Sequence, residues 1–84
     1  MATKLDRLKT AFSDALGVAP DAKFDDLAYA KSAGWDSVAH MKLVSEIENA
    51  FDIMLDTDDV IGMSSFPVAK DIVAKYGVDL NAPQ

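Results

Sequence analysis

Residues 34–51 read GWDSVAHMKLVSEIENAF, and the period of their apolar positions decides the fold. Wound at about 100° per residue, Met41, Val44, Ile47 and Phe51 fall on one stripe, with Leu43 at its edge. Val38, Lys42, Ser45 and Asn49 fall on the opposite side. The spacing predicts an amphipathic helix from about Ser37 to Phe51. Ser37 and His40 project near the edge of the stripe at its N-terminal end, which puts the serine at the helix mouth and outside the core. Two readings of Ser37 stand open at this point. It is a helix cap, as serines at helix starts commonly are. Alternatively, it presents its hydroxyl where free N–H groups and a positive dipole end favour an attached phosphate. The approach through Gly34 and Trp35 is distinctive, although Trp35 also suits the packing of a loop.

Upstream, Leu5, Leu8, Phe12, Ala15 and Leu16 recur at helical spacing, Thr3-x-x-Asp6 resembles a capping box, and Gly17 is placed to end the helix. Between them lies VAPDAKFDDLAYAKSAGWD, residues 18–36, with Pro20, Gly34 and no sustained period. A loop of that length is either functional or tied down by its own apolar residues. Phe24 and Leu27 are the expected anchors, with a weak helical turn near FDDLAYAK. Downstream, Asp56, Thr57, Asp58 and Asp59 supply negative charge where a short helix would begin. Val60, Ile61 and Met63 give it an apolar side, and Gly62 limits its length. Ser64-Ser65-Phe66-Pro67 opens a last helix whose buried stripe is Val68, Ala69, Ile72, Val73 and Tyr76, stopped by Gly77. The tail VDLNAPQ, residues 78–84, is expected to be loose. No period-2 segment is present, so the fold class is all-α: three main helices and one short one, in a single domain over residues 1–84.

Eighty-four residues, half of them hydrophobic, bury a core too thin to enclose a deep catalytic cleft. The absence of cysteine removes disulfides, thiolate metal sites and cysteine nucleophiles together. Apolar runs of only a few residues and a start, MATKLDRLKT, without an apolar signal-peptide core make a cytoplasmic protein with no membrane insertion the expectation; a monomer is expected as well. A net charge of −6 and a pI near 4.4 disfavour nucleic acid and favour basic protein surfaces as partners. The same charge also serves solubility alone.

Catalysis finds little support. Ser37 and His40, the sole histidine, share a helix face, but Asp36 cannot readily sit behind the imidazole, and no Gly-x-Ser-x-Gly elbow exists. The expectation is that the chain is not an enzyme. Asp56, Asp58 and Asp59 superficially suit a calcium loop, yet Ile61 stands where that loop needs glycine and Pro67 where it needs glutamate. No metal site is expected, and helix capping accounts for those acids. Glu46 and Glu48, two apart, diverge around the helix and do not converge on a substrate.

Asp36-Ser37-Val38 resembles the Asp-Ser-Leu signature of acyl carrier proteins and related phosphopantetheine-binding domains. The similarity continues through Met41, Leu43, Val44, Ile47, Glu48 and Phe51, then Ile53, Leu55 and Asp58-Asp59, and covers nearly the whole chain. The three-residue motif alone is common; the register of the helix behind it, the length and the acidity make it specific. The resemblance implies an acyl-carrier-protein-like four-helix bundle with a long first loop. It implies that Ser37 receives 4′-phosphopantetheine from coenzyme A through a phosphodiester bond, installed by a separate phosphopantetheinyl transferase. Asp36 matches the position that helps hold the transferase's magnesium. The arm ends in a thiol that carries an acyl or aminoacyl group as a thioester, loaded by a ligase or transferase and passed to downstream biosynthetic enzymes. Met41, Val44, Ile47, Val60, Ile61, Met63 and Phe66 are the expected lining of a cargo cavity, with His40 at its entrance.

Departures from the family pattern bear on partners. Val38 replaces leucine beside the serine. Lys42 and Asn49 stand where general fatty acid carriers show acids, and Ser45 replaces a larger apolar residue, while Glu48 keeps its charge. Val38, Lys42, Ser45, Glu48 and Asn49 are thus the expected partner face. Two lost acids and an added lysine weaken docking to basic patches on common fatty acid enzymes. The expectation is a specialised stand-alone carrier of fatty acid, lipid or secondary-metabolite biosynthesis. The alternatives are an aminoacyl or peptidyl carrier, or a non-carrying helical interaction module in which Ser37 is only a cap.

Overall fold

The computed structural model describes residues 3–19, 23–29, 31 and 34–83. Pro20 in the first loop and Gln84 at the end of the tail lie outside them. Among the described residues the chain forms α1 (Lys4–Leu16), a single 3-10 turn (Phe24–Asp26), α2 (Ser37–Phe51), α3 (Thr57–Gly62) and α4 (Phe66–Lys75). Extended pairing among these residues is confined to two isolated antiparallel bridges, Thr3 with Pro83 and Ala28 with Ser65. The expected all-α bundle is therefore the observed one.

The caps of α1 and α4 follow from the sequence. Thr3 and Asp6 form the capping box of α1: the Thr3 N–H donates to Asp6 Oδ2 at 3.0 Å and the Asp6 N–H to Thr3 Oγ1 at 3.4 Å. Gly17 ends the helix at φ 73° and donates to the Ser13 carbonyl. Ser65 caps α4 by accepting from the Val68 N–H at 3.3 Å. α3 differs from expectation, because Asp56 makes no side-chain capping bond.

The core is built around Leu8 and Phe12 of α1, Leu43 and Ile47 of α2, Phe66 and Val73 of α4, with Phe24, Trp35 and Met63 brought in from the connections. Phe12 is its hub: the Trp35 ring meets it edge-on at 5.5 Å and the Phe66 ring at 4.9 Å. Each such pair contributes about 0.5–1.5 kcal/mol beyond burial of area. The first loop is held as expected, since Phe24 is buried against Phe66 at 5.1 Å and Leu27 packs on the core.

The stripe of α2 is rotated from its expected position. Leu43, Val44 and Ile47 are buried and Phe51 is half-buried, but Met41 is 60% exposed. α3 likewise buries none of its own residues: Val60 is half-buried and Ile61 is 75% exposed, with Met63 entering the core just beyond the helix end. A period alone gives a stripe wider than any one contact, and six residues of α3 are too few to cover its outer edge.

Residues 78–83, expected as a loose tail, have partners. The N–H groups of Lys4 and Leu5 donate to the carbonyls of Ala82 and Leu80, both at 2.9 Å, and Val78 and Leu80 pack on the core. Two of the donors left open by the first turn of α1 are satisfied this way.

Candidate functional site

Asp36, in extended conformation at φ −111°, is the N-cap of α2, and its Oδ1 accepts from the Ala39 N–H at 2.9 Å. Ser37 is the first helical residue. The cap reading of Ser37 therefore passes to its neighbour, and the serine side chain is exposed with a different contact: its Oγ lies 3.1 Å from the Tyr29 hydroxyl. The helix N-terminus beside it offers backbone N–H groups and the positive end of the dipole.

Behind the serine, Trp35 is 1% exposed, and its indole N–H donates to Nδ1 of His40 at 3.0 Å. Because Nδ1 accepts, the imidazole proton resides on Nε2, which donates to the Val60 carbonyl at 2.7 Å. His40 thus joins the end of the first loop, α2 and α3. With both ring nitrogens engaged and the Ser37 hydroxyl turned to Tyr29, the serine–histidine pair is not arranged as nucleophile and base.

Beside this cluster opens a largely apolar cleft of about 320 Å³, lined by Tyr29, Ser37, His40, Met41, Val60, Ile61 and Met63. It gathers five of the eight residues expected at a cargo cavity: His40, Met41, Val60, Ile61 and Met63. Val44, Ile47 and Phe66 are not among its lining: all three are buried in the core, and Phe66 borders a separate hollow beside Phe24 and Lys70. Tyr29 is the residue that sequence reading missed. It falls in a stretch without period, and only its fold-dependent approach to Ser37 reveals it.

The outer face of α2 carries Val38, 82% exposed, with Lys42, Ser45 and Asn49 also exposed. Glu48 stands apart from this group. It is half-buried, and its Oε2 accepts from the Leu55 N–H at 2.9 Å, closing the turn after the helix.

α3 is fastened at its start by Asp59. The carboxylate accepts from Lys75 Nζ and from the Tyr76 hydroxyl, both at 2.5 Å, and that hydroxyl accepts from the Asp56 N–H at 2.9 Å. The hydrogen bonds from Lys75 and then Tyr76 hold the Asp59 carboxyl below its ordinary 3.8, and the same bonds raise Lys75 and Tyr76 above their ordinary values. The acids of this segment are thus divided: Asp59 ties α3 to α4, and none of them acts as a side-chain cap.

A short helical bundle displaying a hydroxyl at the mouth of a helix, beside an apolar cleft, has the architecture of a carrier domain. A protein-family model for the phosphopantetheine attachment site matches residues 6–75, and the chain belongs to that family. Its cofactor is 4′-phosphopantetheine, covalently attached. No curated protein matches the chain. Family membership implies a phosphopantetheinyl transferase and biosynthetic enzymes as partners. The residues present fit the group: an exposed hydroxyl, a helix N-terminus suited to a phosphodiester, and an adjoining apolar cleft. Among the described residues, no helix is long and apolar enough to cross a membrane.

Proposed function

We propose that Ser37 is the attachment residue and that the chain is a non-catalytic acyl carrier. The single observation that carries this reading is the Ser37 hydroxyl: exposed at the first position of α2, relieved of capping by Asp36, and bordering the cleft. In the modification, Ser37 Oγ bonds to the pyrophosphate phosphorus of coenzyme A that bears the pantetheine. The phosphorus–oxygen bond to the adenosine bisphosphate breaks, and the hydroxyl proton is released. Asp36 matches the position that in the family helps hold the transferase's magnesium, and its Oδ2 has no hydrogen-bond partner among the described residues, which supports that role. When bound, the cofactor supplies a thiol for thioester chemistry, which a chain without cysteine lacks.

The apolar cleft favours acyl over aminoacyl cargo, with His40, Met41, Val60, Ile61 and Met63 as its contacts. Val38, Lys42, Ser45 and Asn49, with Glu48 beside them, make up the partner face, and the departure of Lys42, Ser45 and Asn49 from the family pattern supports a pathway-dedicated carrier. Incubation with coenzyme A, magnesium and a phosphopantetheinyl transferase is expected to add the mass of the arm to the wild type and not to Ser37→Ala. An undiminished gain in that variant would refute the site. Elongation of the loaded chain by a general fatty acid synthase set tests the dedicated pathway, and efficient elongation excludes it. The mass of the protein loaded in its native cells distinguishes acyl from aminoacyl cargo.

A further inference from the structure

Tyr29 reaches Ser37 from a part of the chain anchored independently of α2. Its backbone N–H donates to the Ser64 carbonyl at 2.9 Å, and the preceding Ala28 pairs with Ser65 in an antiparallel bridge. The ring stands edge-on to His40 at 5.2 Å and to Trp35 at 6.3 Å. Backbone and ring are therefore fixed before the hydroxyl is considered, and that hydroxyl lies 3.1 Å from Ser37 Oγ.

Two hydroxyls at that distance can share a hydrogen bond in either direction. Esterification changes the balance. Ser37 Oγ then has no proton to give, while a phosphodiester brings anionic oxygens beside it, and a charged acceptor strengthens a hydrogen bond roughly twofold. Of the two hydroxyls, only the phenolic O–H of Tyr29 can serve as donor in the modified state.

Resting on the reading of Ser37 as the attachment residue, we propose that Tyr29 is a positioning residue for that modification. It holds Ser37 Oγ toward the mouth of the cleft in the unmodified chain. In the modified chain it donates to the phosphodiester. The sequence around it gives no sign of this role, which depends on loop and helix meeting in space.

The test is Y29F, which keeps the ring contacts and removes the donor. Its kcat/KM for phosphopantetheinylation is expected to fall about two- to tenfold, the worth of one hydrogen bond. The phosphorus-31 resonance of the modified protein is expected to move from its wild-type position. Leu27→Ala, which loosens the same loop without touching the hydroxyl, should leave that resonance in place. Coincident wild-type and Y29F resonances overturn the assignment even if the rate falls, since a slower rate alone reflects a looser loop. An equal movement in Leu27→Ala overturns it too. A wild-type chain that gains no mass overturns the attachment reading and this one together, whereas a modified wild type matching Y29F overturns only the role of Tyr29.

Discussion

The indole N–H of Trp35 donates to Nδ1 of His40, and the same imidazole donates through Nε2 to the Val60 carbonyl. One side chain on α2 therefore connects a buried loop residue to the backbone of α3. The long first loop ends in a fixed position because Trp35 is both packed on Phe12 and hydrogen-bonded to α2. α3, which buries no residue of its own, takes its placement from His40 on one side and from Asp59 on the other.

His40→Ala should destabilise the fold by about 1–3 kcal/mol, because it leaves the buried indole N–H without an acceptor. Urea denaturation measures this directly, and Trp35, the sole tryptophan, reports its own environment by fluorescence. A double-mutant cycle with Trp35→Phe should return a coupling of about 0.5–1.5 kcal/mol. Additive effects of the two substitutions would show that the hydrogen bond contributes nothing.

Adjacent residues at the start of α2 should separate stability from modification. Asp36→Ala removes the cap and is expected to cost about 0.5–2 kcal/mol. Ser37→Ala removes an exposed hydroxyl that caps nothing, so its stability should stay within about 0.5 kcal/mol of wild type while modification is lost. Parallel urea melts and mass measurements decide it. A large loss of stability in Ser37→Ala would return the capping role to the serine.

Gly34→Ala tests how closely the loop approaches α1. At φ 83°, a Cβ on Gly34 would lie 2.6 Å from the Leu16 carbonyl oxygen, a backbone atom that cannot swing aside. The left-handed conformation costs about 1–2 kcal/mol by itself, and the clash adds to it. Gly17→Ala is the matched comparison, with φ 73° and nothing within 4 Å of the added carbon. Gly34→Ala should therefore be the more destabilising of the two in urea melts. Equal losses would mean that the loop relaxes freely around the new methyl group.

The legibility of this fold varied with how local its causes are. The capping box at Thr3 and Asp6, the Gly17 stop and the Ser65 cap are set by residues within a few positions of one another, and the sequence displays them. The faces of α2 and α3 depend on which neighbours arrive, so Met41 and Ile61 sit on the cleft rim where periodicity alone puts them inside. Contacts across the chain left no local sign. Tyr29 meets Ser37 only after the loop is pinned to Ser64, and Leu80 and Ala82 accept from α1 only after α4 has turned the chain back. Glu48 carries a contact of the same kind: nothing in its spacing on α2 shows that one of its carboxylate oxygens accepts from a backbone N–H seven residues on.

The Asp59 cluster should shape the pH dependence of stability at both ends. Its carboxyl, held below 3.8 by Lys75 and Tyr76, binds protons less tightly folded than unfolded. As pH falls below 3.8 the unfolded chain takes up the proton first, so this contribution declines as pH drops through the folded-state value. At the alkaline end the signs reverse. Lys75 and Tyr76 hold their protons above 10.5 and 10.0 when folded, so the unfolded chain loses them first and stability falls as pH rises. The contribution is complete between the acid and alkaline limbs. Asp59→Asn should lower the urea midpoint near neutral pH and make both limbs shallower, because the lysine and tyrosine lose their shared anionic acceptor. Lys75 is largely exposed, so added salt should weaken the ion-pair part and leave the Tyr76 bond in place. A pH profile unchanged by Asp59→Asn would show that the Asp59 cluster does not help hold α3.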